Sequence, residues 1–340
     1  MINNNKNNQV KPGSGMSRKT FLKQSSLSLA GLGLFPLVSS SLNLSKEETT
    51  NLRRGNLNKD EKILRSITYN VFNGCIGYKG INGHELPEGV DNFLIKSARD
   101  MRQIPQRIML ELALYEPDII NFSESPNEEV VAQMAKMFNL KYAFFPGAKD
   151  GLGHFPGSIL TNYEIISSES RPFLNKSINN PKDLFTRHWG KAKLKLPNGK
   201  MISVHSAHLW PFNKEANDVK IRLNEIKELM ASIKYDLNNQ SDYVLLQGDL
   251  NHTPDTMEYK TLNDENLVDV FKVAGKGNGH TVNAIKPVRR IDYIYASKAL
   301  SENIVTSSVL FEGNFRMNKD DPNGFALSDH LPVIADFKLS

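Results

Sequence analysis

Apolar residues recur in two rhythms along this 340-residue chain. Short runs rich in Ile, Val, Tyr and Phe alternate with longer segments in which apolar positions return every third or fourth residue. The first rhythm predicts strands and the second helices. "ILRSITYNVF" predicts a strand ending at Asn70, followed by a Gly-rich loop over 74–89. "IPQRIMLELALY" places Ile104, Ile108, Leu112 and Tyr115 on one helical face, and the helix stops before Pro117 because a proline drives its predecessor out of the helical region. "PDIINFSES" predicts a buried strand with Glu124 just past its end. Ser125-Pro126-Asn127-Glu128 then has the S-x-x-E capping spacing with Pro in the first helical position, and Val130, Met134, Met137 and Phe138 supply the apolar stripe. Further strands are expected at 158–161, 191–196, 201–207, 243–247, 291–296 and 332–338, with a long helix over 214–234 carried by Val219, Leu223, Ile226, Met230 and Ile233. Segments 149–157, 171–188 and 272–288 read as Gly-, Asn- and Lys-rich loops. Strands interspersed with helices predict an α/β domain over 60–340, with two packed sheets and helices outside them.

Composition adds two exclusions. A hydrophobic share of 39% with 23% charged residues is that of a globular chain and excludes wholesale disorder. The single cysteine, Cys75, excludes an internal disulfide, and no Cys/His spacing suggests structural zinc, so a metal would have to rest on oxygen ligands. The net charge of +5 is unevenly placed: residues 1–59 hold nine Lys/Arg and two Glu, which leaves the remaining chain at −2. The basic balance therefore says nothing in favour of a polyanionic partner for the folded domain.

The basic segment reads as an export signal over 1–45. Ser17-Arg18-Lys19-Thr20-Phe21-Leu22-Lys23 precedes a weakly apolar run from Leu27 to Val38 that ends in small residues, too short and serine-rich to span a membrane. Its frame resembles a twin-arginine signal, with Lys19 where the second arginine would stand. A polar linker follows over 46–59. The expectation is a protein exported to the periplasm or beyond the cell.

Six polar clusters lie at or just past the ends of apolar runs: Asn70; Glu124; "HSAHLWP" with His208; "GDLN" with Asp249 and Asn251; "RRIDYIYAS" with Asp292; and "LSDHLPV" with Asp329 and His330. In an extended segment residues two apart share a face, so Asp249 and Asn251 are expected to present their oxygens together. Each cluster alone has a bland reading. Asn70 or Asp249 suits a turn, Glu124 a helix start, His208 a buried core histidine, and Asp292 an ion pair with Arg289 or Arg290.

In this order, and with "GDLNHTP", "RRIDYIYAS" and "SDHLPV" in register, the clusters resemble the endonuclease/exonuclease/phosphatase superfamily, which includes deoxyribonuclease I, exonuclease III and neutral sphingomyelinases. The resemblance spans residues 63–338 and implies a four-layer α/β/β/α sandwich. It implies that Glu124, with Asn70 and Asp329, holds Mg²⁺, for which Mn²⁺ is a possible substitute. Asp249 would orient or deprotonate the attacking water, with Asn251 steadying that water and the phosphate. His330 with Asp292 would form an oriented imidazole pair, and His208 would bind the phosphate or protonate the leaving oxygen. Arg187 falls where some members place a phosphate-contacting arginine. The implied activity is hydrolysis of a phosphoester in nucleic acid, a lipid head group or a small ester, by a monomer with no stable protein partner. The alternative is a non-catalytic ligand-binding or interaction protein that retains the fold.

Overall fold

The computed structural model describes residues 62–78, 101, 103–148, 155–172, 184–239, 241–264, 267–312, 315 and 326–339. The export signal, the linker, most of the Gly-rich loop over 74–89 and the middles of loops 149–157 and 171–188 lie outside the described residues.

The strands are β1 (Ile63–Asn70), β2 (Ile119–Ser123), β3 (Lys141–Phe145), β4 (Gly157–Thr161), β5 (Glu164–Ser170), β6 (His188–Lys195) and β7 (Met201–His208). They continue with β8 (Tyr243–Asp249), β9 (Leu267–Asp269), β10 (Gly275–Lys276), β11 (Asp292–Ser297), β12 (Ile304–Val309) and β13 (Val333–Lys338). Helices are α1 (Gln103–Ala113), α2 (Glu128–Met137), α3 (Ala216–Asn239), α4 (Met257–Asp264), α5 (Val270–Ala274) and α6 (Lys298–Ser301). Among the described residues the strands form two mixed sheets, one in the order β10-β12-β13-β1-β2-β4-β3 and the other β5-β6-β7-β8-β11-β9.

The central strands β1, β2, β7 and β8 are buried almost throughout because both their faces are covered. Their inner faces meet in one core that mixes residues of the two sheets, such as Leu64, Ile119 and Ile159 with Val204, Leu245 and Ile294. Hydrogen bonds cross between the sheets as well: Ser66 Oγ donates to Gln247 Oε1 at 2.8 Å, and the Asp249 amide donates to Ser123 Oγ at 3.3 Å. Outside the second sheet, Ile226, Leu229, Met230 and Ile233 of α3 cover Val244, Leu246 and Trp189. Outside the first, Ile104, Ile108 and Leu112 of α1 and Val131 and Met134 of α2 join the core. Each such side chain contributes about 1.5–3 kcal/mol by leaving water. The expected sandwich of two sheets between helices is what the chain forms.

Four local expectations are revised. The N-cap of α2 is Asn127, whose side chain accepts from the Val130 amide at 3.0 Å. Ser125 instead bonds Ser158 across to β4 at 2.7 Å, so Pro126 lies ahead of the helix. Helix α3 starts later and runs longer than the apolar spacing implied, and its buried face carries Asp218, Arg222, Glu225 and Asp236 beside the aliphatic residues. Strand β6 begins at His188, inside the expected loop 171–188. Strands β3, β5, β9, β10 and β12 were not among the expected ones; β3, β5, β9 and β10 lie at sheet edges, and "EIISSES" of β5 shows no alternation to read.

Candidate functional site

Register assembles the site. In the second sheet His188 pairs with His208, His208 with Asp249, and Asp249 with Asp292, a row crossing β6, β7, β8 and β11 at one end. In the first sheet Asn70 pairs with Ser123 on the neighbouring strand, and Glu124 follows directly. Gly248 lets β8 lie close against β7 at this end: its φ is +144, and a Cβ there would sit 2.0 Å from the Ala207 carbonyl oxygen. Glu124 and Asn251 adopt φ near +52 without being glycine, conformations that cost energy and cluster at functional sites.

That φ overturns the reason given for placing Asp249 and Asn251 on one face, since β8 ends at Asp249 and Asn251 is not extended. The Asn251 amide donates to Asp249 Oδ1 at 3.1 Å, and its carboxamide donates to the Leu209 carbonyl at 3.1 Å. A local turn, rather than strand alternation, brings the two residues together.

Asp249 is the hub. Its Oδ2 accepts from Asn70 Nδ2 at 3.0 Å and lies 3.4 Å from His208 Nε2 and 3.7 Å from His330 Nε2. The other ring nitrogen of His330 meets Asp292 Oδ2 at 2.8 Å. Both His330 nitrogens thus face carboxylates, an arrangement that suits the imidazolium, which donates from both. Burial works against that charge, yet Asp292, Asp329 and Asp249 outweigh it and raise the His330 pKa well above the ordinary histidine value. Burial pushes the Asp249 carboxyl up, and the nearby Asp292 charge pushes it further, while His330 and Asn70 pull it back. His208 goes the other way: burial first, then Arg187, His188 and His330, hold it neutral.

Glu124 forms the opposite wall. Its Oε1 accepts from Asn70 Nδ2 at 3.2 Å and lies 3.4 Å from Arg187 Nη1, and its Oε2 accepts from the Asn73 amide at 2.7 Å. Asn70 turns its Oδ1 to the Phe72 amide at 3.1 Å, so its nitrogen ties Glu124 to Asp249. Asp329 is half-buried, with its pKa raised chiefly by desolvation and with His330 and Glu124 close enough to act on it. Ser328 anchors this turn by donating to the Asn70 carbonyl at 2.6 Å and accepting from the His330 amide at 3.1 Å. All nine residues singled out from sequence therefore belong to one connected neighbourhood. Arg290, offered as a partner for Asp292, pairs with Asp269 at 2.7 Å instead.

Two contributors carried no sequence signal of their own. The Arg187 guanidinium lies 3.8 Å over the Phe155 ring, which also packs edge-on against His208. His188, beneath His208, bonds Ser206 Oγ at 2.9 Å and the Phe155 carbonyl at 3.2 Å. Only strand pairing with His208 would have revealed His188.

The donors of Asp249, Asp292 and His330 lie within 4.8 Å of one another, and Glu124 and Asp329 add further carboxylates nearby. Asp292 Oδ1 is buried without a hydrogen-bond partner among the described residues. With both His330 nitrogens engaged by carboxylates, the oxygens of Glu124, Asp329 and Asn70 make up the donor set that fits a hard divalent cation such as Mg²⁺. Carboxylates and imidazoles are thus joined at one end of the two-sheet sandwich.

A model of the Endonuclease/Exonuclease/phosphatase family matches residues 67–330, and the chain belongs to that family. Among solved structures, a complex of D. rerio TDP2 with a single-strand DNA product is similar at 20% identity and TM-score 0.54, over 82% of this chain and 99% of that one. A mannosyl-6-phosphatase of Bacteroides thetaiotaomicron is similar at 16% identity and TM-score 0.57, over 80% and 98%. An endonuclease/exonuclease/phosphatase of Bacteroides vulgatus is similar at 17% identity and TM-score 0.57, over 82% and 100%. A search of curated proteins found no match.

Proposed function

We propose that this protein is an exported, Mg²⁺-dependent hydrolase of phosphoesters. The observation that carries the reading is the chain Asp292–His330–Asp249, closed by Asn70 and Glu124 at the mouth of the sandwich. The order of basic, apolar and small residues over 1–45 supports export.

Glu124, Asp329 and Asn70, the last with its carboxamide turned, would hold the cation. Mg²⁺ supplies polarisation of a phosphoryl oxygen and compensation of charge on the leaving oxygen. Asp249 takes the proton of the attacking water or orients it, a role suited to a carboxylate whose proton affinity burial has raised. Asn251 steadies the same water and the phosphate. His330, held charged by Asp292, stabilises negative charge on the phosphoryl oxygens. His208 and Arg187 bind the phosphate, and Phe155 holds the plane of Arg187. A net charge of −2 beyond residue 59 favours a small or lipid-derived ester over nucleic acid, although a DNA product is bound in the similar TDP2 structure.

The test is hydrolysis by the full-length protein with Mg²⁺, using a phosphomonoester reporter, a phosphodiester reporter, plasmid DNA and sphingomyelin, each beside Asp249→Ala. Turnover of esters or lipid, lost in the variant, is expected. DNA cleavage lost in the variant would make the protein a nuclease, and silence on every substrate would favour a non-catalytic binding protein.

A further inference from the structure

Beside Glu124 the surface opens into a cavity of about 660 Å³. Its walls are Ile76, Pro105, Val130, Phe144, Pro146 and Pro156. Two backbone bonds fix its mouth to the reaction centre: the Asn73 amide donates to Glu124 Oε2, and the Gly74 amide donates to the Glu124 carbonyl at 2.8 Å. Two of the polar side chains at its edge are already engaged, and the third, Asn73, is exposed at the rim. Ser125 is bonded to Ser158, and the Asn127 carboxamide oxygen caps α2. None of its described lining residues is Lys, Arg, Asp or Glu. Ile76, Val130 and Phe144 pack against the core yet remain half-buried, so part of their apolar surface faces the cavity's water.

We propose that this cavity is the subsite for the alcohol half of the substrate, and that it takes an uncharged alkyl or aryl group. The inference rests on the hydrolase reading and adds the substrate class to it. Arg187 and Glu124 mark where the phosphoryl group sits, and the cavity begins one residue away. Apolar walls with few polar groups at the rim gain free energy by exchanging water for carbon. A nucleic-acid strand entering here would bring a phosphate charge at each nucleotide and meet no cation among the described lining residues.

The test compares ethyl and hexyl phosphate, whose leaving alcohols are alike in acidity, with full-length protein and Mg²⁺. In parallel, calorimetry compares binding of ethylphosphonate and hexylphosphonate. The hexyl compound is expected to be favoured tenfold or more in both kcat/KM and Kd. Val130→Asp, which places charge on the wall yet suits the first turn of a helix, and Val130→Trp, which fills the space, should each bring both ratios toward one. Equal turnover of the two esters by the wild type would overturn the subsite and leave the hydrolase reading standing. Hexylphosphonate preference without turnover of any ester would do the reverse. Ratios unchanged in a folded Val130 variant would also remove the cavity from recognition, and if neither variant folds the wild-type ratios decide.

Discussion

Two buried Asp–His pairs, each with one member on the second sheet, have nearly the same geometry and opposite chemistry. At the open end, His330 Nδ1 meets Asp292 at 2.8 Å; beneath α3, His205 Nε2 meets Asp236 at 2.9 Å. The difference lies in what faces the other nitrogen. Trp189 Nε1 donates to His205 Nδ1 at 3.4 Å, so that nitrogen is an acceptor and the ring is complete as a neutral tautomer. Lys191, 2.7 Å from Asp236, already supplies the cation. Burial, with Lys191 opposing any further positive charge, lowers the His205 pKa even though Asp236 pulls upward. His330 has carboxylates on both sides, so its ring is charged. A short Asp–His contact thus does not by itself mark a catalytic pair; the balance of charge around it decides.

The largest expected effect separates the open end from everything else. Because Asp249 touches Asn70, His208 and His330 at once, Asp249→Ala should cut turnover by about three orders of magnitude or more, with an unchanged circular dichroism spectrum. Chelation should silence the wild type, and added Mg²⁺ or Mn²⁺ should restore it. Activity indifferent to chelator would remove the metal from the site.

Next comes the direct contrast of the two pairs. Asp292→Asn should lower kcat by about 10²–10⁴-fold, the usual worth of an oriented acid–base group, and also lower the urea midpoint, since it removes the carboxylate that holds His330 charged. His205→Gln should leave kcat/KM unchanged and cost about 1–3 kcal/mol in urea denaturation, because it disturbs a satisfied buried polar group. Should His205→Gln slow turnover as much as Asp292→Asn, the distinction drawn from charge balance would be wrong.

Asp236→Ala sharpens the structural side. It strands Lys191 and His205 in the interior, with the half-exposed Glu169 4.0 Å from the Lys191 ammonium as a poor substitute. Loss of one partner of a buried ion pair costs about 3–5 kcal/mol, readable as a lower urea midpoint.

The smallest effect concerns acid. His252 is buried, stacked on Tyr293 with ring centroids 4.6 Å apart, and burial lowers its pKa to about 3. Below pH 6.5 the unfolded chain takes up that proton while the folded chain does not until about pH 3, so stability falls as pH falls through this window. His252→Phe should remove about 1 kcal/mol per pH unit from the decline between pH 6 and 5. An unchanged slope would mean that the ring is protonated in the fold.

Much of the site was legible because its residues stand where apolar runs stop. Asn70, Glu124, His208 and Asp249 each end or follow, and Asp292 opens, a strand whose hydrophobic pattern is strong, and the polar residue at the edge of such a run is exposed to view in sequence. The cap of α2 was misplaced by two residues because Ser125 and Asn127 are both good caps, and only the approach of Ser158 on β4 decides between them. The charged face of α3 ran against its apolar spacing: Arg222 is buried because Glu258, 36 residues on, lies 2.7 Å away.

From its sequence alone this chain determined its central strands, its main helices and the chemical types gathered at the strand ends, since burial periodicity and residue chemistry are local. Tertiary structure alone decided the row His188–His208–Asp249–Asp292, the turn at Asn251, the neutrality of His205 against the charge of His330, and the cavity beside Glu124. Apart from the two-residue contact inside the Asn251 turn, those depend on which side chains meet across gaps of tens to hundreds of residues. Burial and neighbouring charge, not residue type, then set whether each group is ionised.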